Sequence, residues 1–295
     1  MKPKHFLLIC ISFFIASIFS CQKDFTAPDN ITLRPDSAMV VGGDSNYLDK
    51  ILVVDSGNSP GFENSIWVFN YDNLKRLKNV AIKSVNNPAD SSIFLKFLYN
   101  SNDTLPYKIM EYDSSTLITD YFCYYNNGKL VKDSMFDYTS PAATPYFKVS
   151  NYSYNLANSI INNGWQISYF GSMPATLNER DTFLLDSRAN VISAKFYKAS
   201  SGSPNYILFG TSSYAYDNMK SPYLKVSPFN IYLFISTNSF SSNNLTTQNS
   251  TSFIGVNNNS SVFTNTYYSN GFLKKKEVSN TFIPNSTYTF SYKSL

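Results

Sequence analysis

The feature that most constrains this chain is a recurring unit: an aromatic residue, a short run of turn formers, and an aliphatic residue five or six positions on. It reads YDNLKRL from Tyr71 to Leu77, YNSNDTL from Tyr99 to Leu105, YNNGKL from Tyr125 to Leu130 and YNLANSI from Tyr154 to Ile160. LDSRANV, from Leu185 to Val191, begins with an aliphatic residue instead, and Tyr216 opens a looser copy, YDNMKSP, with Tyr223 as its next large apolar residue. FSSNNL from Phe240 to Leu245 and YSNGFL from Tyr268 to Leu273 close the series. Successive starts lie 28, 26, 29, 31, 31, 24 and 28 residues apart. Each unit has the chemistry of a β-hairpin. Asn-Gly supplies the positive φ angles of tight turns, and Asp, Asn and Ser close longer ones through side-chain hydrogen bonds. Such a period holds two strands and two connections, and it is shorter than the roughly 40–45 residues of a propeller blade. One unit cannot bury its apolar face alone, so neighbours must stack. The expected fold class is therefore all-β: a long antiparallel meander of repeated β-hairpins forming one large curved sheet, curling on itself or closing as a barrel.

The residues between the turns agree. The chain holds 23 Tyr and 24 Phe, which suit a half-buried pleated surface. Thr287 to Lys293, TYTFSYK, puts three aromatics on one face and four polar residues on the other. Ile231, Leu233 and Ile235 alternate with Tyr232, Phe234 and Ser236, which reads as a strand buried on both sides. No stretch shows a helical period.

The N-terminus is a targeting segment. Met1 to His5 is basic, Phe6 to Ile18 is an apolar core too short to favour a membrane span, and Ile18-Phe19-Ser20-Cys21 resembles a bacterial lipobox. Cleavage there leaves Cys21 as the lipidated residue and the membrane anchor. Residues 22–46 are mostly polar, with Pro28, Pro35 and Gly42-Gly43, and suit a tether. The organisation is thus 1–20 signal peptide, 21–46 lipidated cysteine and flexible tether, and 47–295 a single repetitive all-β domain. Removing Lys2 and Lys4 leaves 22 basic against 20 acidic residues, no charge excess that would favour nucleic acid. His5, the one histidine, and Cys10 leave with the signal, so Cys123 is the sole thiol of the body and no intramolecular disulfide joins body cysteines.

The Tyr-Asp and Tyr-Asn turn units resemble those of YD-type repeat proteins, and the lipobox, tether and hairpin series together resemble uncharacterised β-rich lipoproteins of Bacteroidota. The resemblance spans the mature chain through short, degenerate motifs, less Gly-rich than proper YD repeats. It implies a repetitive β-sheet in the cell envelope, at the outer membrane on its surface or periplasmic face, and no established chemistry.

The lack of histidine in the mature chain removes Ser-His-Asp triads, Cys-His pairs and histidine-ligated zinc. There is no P-loop, Rossmann fingerprint or nucleophile elbow, so no cofactor or metal is expected. Paired carboxylates, as in glycoside hydrolases, remain open through Glu63, Glu111, Asp113, Glu179 and Asp181, with Glu111 and Asp113 on one strand face. Acidic residues on turns and solvent faces are far commoner than catalytic pairs, so the expected role is non-enzymatic binding or scaffolding, with a carbohydrate, peptide or envelope protein as partner. Trp67 and Trp165 are the candidate ligand platform, although Ile66-Trp67-Val68-Phe69 also suits burial. A transmembrane β-barrel shares the alternating pattern, and the lipobox argues against it. Ser37, Thr104 and Ser134 follow aspartates in short motifs resembling the O-glycosylation sites of Bacteroidota envelope proteins.

Overall fold

The computed structural model describes residues 47–55, 64–85, 91–139, 146–155, 159–167, 176–199, 205–226, 228, 231–233, 241–253, 257–281 and 285–295. Cys21, Ser37 and Glu63 lie outside them. The described residues form sixteen antiparallel strands: β1 (Tyr47–Asp55), β2 (Ser65–Tyr71), β3 (Leu77–Ser84), β4 (Ser91–Leu98), β5 (Lys108–Asp113), β6 (Thr116–Asn126), β7 (Lys129–Asp137), β8 (Tyr146–Asn155), β9 (Ser159–Ile167), β10 (Thr176–Leu185), β11 (Val191–Ala199), β12 (Tyr206–Lys220), β13 (Asn243–Ser252), β14 (Asn257–Tyr267), β15 (Leu273–Asn280) and β16 (Ser286–Lys293). Each strand pairs with its neighbours in sequence, and β16 pairs with β1 through Phe290 opposite Ile51 and Tyr288 opposite Val53. The meander is therefore a closed barrel, which removes both sheet edges.

The repeat unit is the device that shapes one rim. In five hairpins the register slips by one residue next to the aromatic position: between Asn70 and Tyr71, Tyr124 and Tyr125, Leu184 and Leu185, Ala215 and Tyr216, and Thr266 and Tyr267. The extra residues of these bulges are Lys78, Val131, Ile192, Thr246 and Lys274. Each bulge brings the aliphatic residue directly opposite the aromatic position, so both turn into the core. Leu77, Leu130, Val191, Leu245 and Leu273 are 0–3% exposed as a result. The pairing also corrects the repeat count. Tyr216 stands opposite Leu245, so the units beginning at Tyr216 and Phe240 bracket a single connection, and Tyr267 rather than Tyr268 faces Leu273.

A tyrosine clasp then fastens six of the eight pairs. At the end of six even-numbered strands a tyrosine hydroxyl donates to a backbone carbonyl at the start of the strand before it. The bonds are Tyr71 to Leu48, Tyr99 to Leu77, Tyr125 to Pro106, Tyr154 to Leu130, Tyr216 to Val191 and Tyr292 to Leu273, at 2.7–2.9 Å. On β14 the Asn265 amide makes the equivalent bond to the Leu245 carbonyl at 3.1 Å. On β10 the position is Leu185, which has no hydroxyl to give.

The turns themselves are of two kinds. Asp72–Arg76, Asp186–Asn190 and Tyr268–Phe272 are closed by the same pair of backbone bonds, with positive φ at Lys75 (61°), Ala189 (64°) and Gly271 (83°). Asn127-Gly128 has positive φ at both residues (49° and 72°), as a two-residue type I′ turn requires. YNNGKL and YSNGFL thus share letters and differ in turn.

Residues facing each other across strands share a side of the sheet, and here the inner side is the apolar one. Ile51, Trp67, Ile82 and Ile93 form one buried row, and Phe69, Val80 and Leu95 another. The connection from β12 to β13 fills the space they enclose. It holds a 3-10 turn, Pro222–Lys225, and helical residues 231–233, with Tyr223, Val226, Ile231 and Leu233 at 0–1% exposed. Tyr223 packs edge-on against Phe290 of β16 at 6.5 Å, and Tyr232 against Tyr121 of β6 at 5.9 Å, so the segment crosses the lumen. Of the strand expected at Ile231–Ile235, the described residues 231–233 are helical instead. A closed barrel offers no free edge inside it, and a segment there must satisfy its backbone locally.

The outer face is two-sided. Over β12–β16 it carries Ser213, Asn249, Thr251, Thr264, Glu277, Ser279, Thr287 and Thr289 among few apolar residues. Over β1–β8 it carries Leu52, Val68, Phe94, Met110, Phe122, Phe136 and Phe147.

Removing one clasp hydroxyl leaves a carbonyl at the rim without its donor. Tyr99→Phe and Tyr154→Phe are each expected to lower unfolding stability by about 1 kcal/mol, read as a shift of the urea midpoint at unchanged slope.

Candidate functional site: the polar wall of the lumen

The acids of the barrel interior gather on one wall, from β5 to β10, while Lys276 of β15, 1% exposed, and Asp55 of β1 turn inward elsewhere. The row of Val80 and Leu95 continues through Glu111 on β5, Thr119 on β6 and Asp137 on β7. A neighbouring row runs from Asp133 on β7 through Ser150 and Gly164 to Glu179 on β10. Lys148 of β8 and Asp181 of β10 lie on the same face. The opposite wall carries Ile51, Phe69, Phe263, Val278 and Phe290, with Lys276 buried among them 5.6 Å from the Phe263 ring.

Burial dominates the chemistry of the acids. Glu111 is 7% exposed, and its pKa is pushed up to about 7 by burial, with Asp137 adding to the rise and hydrogen bonds from Tyr232 and Tyr121 opposing it. Asp133 is pushed up to about 6 by burial, against a 2.5 Å hydrogen bond donated by the Tyr152 hydroxyl and the attraction of Lys148. Asp181 is pushed up to about 7 by burial and by Glu179, with Lys148 pulling the other way. Lys148 meets Glu179 at 2.6 Å, spanning β9 above Gly164. A Cβ at position 164 would come within 3.0 Å of Lys148 Cε and 3.4 Å of Glu179 Oε2, so the missing side chain makes room for the ion pair.

This arrangement can store protons and hold the lumen segment. Tyr232 belongs to that segment, and its hydroxyl bonds Glu111 on the wall. Among the described residues no group of three or more Cys, Asp or Glu side chains converges as metal ligands.

The sequence expectations fare unevenly. Glu111 and Asp113 share the inner face of β5, and Glu179 and Asp181 share that of β10. The wall places Glu111 beside Asp137, two strands away, not beside the β10 pair. Trp67 is 4% exposed, with its indole N–H on Ser65 Oγ at 3.1 Å, so it is core and offers no platform. Trp165 pairs through its backbone with Val149 and Leu177. Thr104 is exposed in the β4–β5 connection. Ser134 is 6% exposed between Phe122 and Val149 in the sheet, which leaves no room for a glycan on the folded barrel. The Asp133 beside it belongs to the lumen. Asp137, Lys148, Tyr121, Tyr152 and Tyr232 were not singled out in the sequence; the alternation of β7, with Asp133, Met135 and Asp137 on one face, is the signal that could have found the acids.

No protein-family model matches the chain, and no curated protein does. Among solved structures the chain is similar to a porin-like protein from Bacteroides vulgatus, with a TM-score of 0.53 at 10% identity over 85% of this chain and 100% of that one. A porin-like protein from Bacteroides uniformis matches with a TM-score of 0.46 at 10% identity, over 84% of this chain and 98% of that one. The first likeness shows a shared all-β fold.

The raised acids make stability depend on pH. Glu111 keeps its proton in the fold up to about pH 7, whereas the unfolded chain releases it near 4.5, so stability falls as pH rises through that window and levels off above it. Glu111→Gln is expected to flatten this slope. It should match the native protein near about pH 4 and exceed it by up to about 3 kcal/mol near about pH 8, measured by urea unfolding across the range.

Proposed function

We propose that the chain is a lipid-anchored cell-envelope protein whose barrel is a non-enzymatic binding or scaffolding body and not a diffusion channel. The observation that carries this reading is the filled lumen: Tyr223, Val226, Ile231 and Leu233 are 0–1% exposed inside the ring of strands. A membrane channel has a polar, water-filled interior and an apolar band around its whole girth. Here the interior is largely apolar, and the outer face over β12–β16 is hydroxyl- and amide-rich. The anchor is Cys21, and Tyr47 brings the chain into the barrel at the clasp rim. The likeness to porin-like proteins of Bacteroides, together with the lipobox, supports an envelope location. The burial of Glu111, Asp133 and Asp181, two of them held by tyrosine hydroxyls, supports a role without hydrolysis.

Intact mass of the chain expressed in a diderm host is expected to show an acylated Cys21, lost in Cys21→Ala, and protease treatment of whole cells then assigns the face. Purified protein added to planar bilayers should give no stepwise conductance. A product without lipid, or regular conductance steps, refutes the reading.

A further inference from the structure

The outer wall of β3–β8 gathers aromatic rings and lysines on one face. Phe122, Phe136 and Phe147 form a chain of rings at 5.9 and 4.4 Å, and Phe94 meets Tyr112 at 6.2 Å, all partly open to solvent. Lysines are set among them. Lys83, Lys96, Lys108 and Lys132 point outward, Lys108 lies 4.7 Å from the Phe122 ring, and Lys132 lies 5.0 Å from that of Tyr124, which is 47% exposed. Among the described residues of β3–β8, Asp120 is the one acid on this face. It is 4% exposed and already paired with Lys108 at 2.8 Å. The wall is therefore apolar, aromatic and basic, a composition that seats on the headgroup region of anionic membranes.

We propose that this wall is a membrane-docking face, which lays the barrel sideways on a bilayer containing anionic phospholipid; the inference rests on the envelope-anchor reading above. Two observations favour a bilayer as occupant. The first is charge complementarity: four lysines against one acid, which is paired with Lys108 and leaves Lys83, Lys96 and Lys132 in excess. The second is the attachment of the chain. The 26 residues from Cys21 to Asn46 reach up to about 90 Å at about 3.5 Å per residue. That length allows any orientation of the barrel, so the wall and not the tether selects one. The hydroxyl-rich exterior of β12–β16 keeps the other half in water, which makes this a surface contact and not an insertion.

The test uses the unacylated mature chain, Cys21→Ala, floated with sealed vesicles of phosphatidylcholine alone or mixed with phosphatidylglycerol. Binding is expected only with phosphatidylglycerol, should be released by high salt, and should fall at least about tenfold in Lys96→Glu/Lys132→Glu. A second readout does not depend on that variant's folding. In a Cys123→Ala background, an environment-sensitive fluorophore at Tyr124→Cys should shift blue on anionic vesicles, and one at Ser213→Cys on the opposite wall should not. Binding indifferent to lipid charge, equal shifts on both walls, or no binding overturns the proposal. So does a concentration-dependent shift at position 124 without lipid, which would make the wall a contact between copies. Intact mass separates the two readings, since loss of acylation refutes the anchor while vesicle binding by the unacylated chain is scored independently.

Discussion

An antiparallel ladder has one recurring weak point, the bulge, where a residue is inserted and the backbone bonds fall out of step. In this barrel bulges recur at the same place, one residue past the aliphatic position, and the carbonyl of that aliphatic residue is the group the rim is built to satisfy. Tyrosine suits the task because its ring fills the core while its hydroxyl reaches a backbone oxygen, so packing and polar satisfaction come from one side chain. On β14 the two tasks are divided, with Tyr267 keeping the ring against Leu273 and Asn265 making the bond to the Leu245 carbonyl. Leu185 shows that the packing survives without the bond.

Closure follows from the same rim and sets the problem of the interior. Sixteen strands enclose more space than their own inward side chains can fill. The β12–β13 connection supplies the missing volume, and Tyr223 and Tyr232 brace it against β16 and β6. On the wall of acids, Glu111 bonds Tyr232 of that segment, and β9 is narrow enough at Gly164 to let Lys148 and Glu179 meet. The result is a barrel whose interior is packed around the connection and whose exterior is hydroxyl- and amide-rich over β12–β16 and aromatic over β4–β8.

Much of the fold was legible because its signal is local. Turn chemistry and period-two alternation located the hairpins, and Tyr71, Tyr99, Tyr125 and Tyr154 were read correctly as the strand-ending aromatics. Closure was not decided by the sequence, because pairing of Tyr288 with Val53 joins residues from opposite ends of the chain and leaves no local mark. The plug was misread for a related reason: Ile231 to Ile235 has an alternating pattern, and residues 231–233 are helical because no partner edge reaches them. Of the candidate site, the shared face of Glu111 with Asp113 followed from spacing alone. Their company did not. Asp137, Lys148 and Tyr232 reach the wall through register across several strands, information that no single segment holds.

The seam has a further meaning. Tyr47 stands opposite Lys293, and Lys293 reaches past β1 to bond the Phe69 carbonyl at 2.9 Å and Asp49 at 2.9 Å, while Tyr71 and Tyr292 clasp on either side. The place where the chain enters and leaves is thus built like the other hairpin ends, with only the turn missing. In topological terms the ring has no privileged first strand. A circular permutation that joined Lys293 to Tyr47 with a short turn and opened another rim connection would keep every clasp and every row, and would move the chain's entry into the barrel to a different point on the circumference.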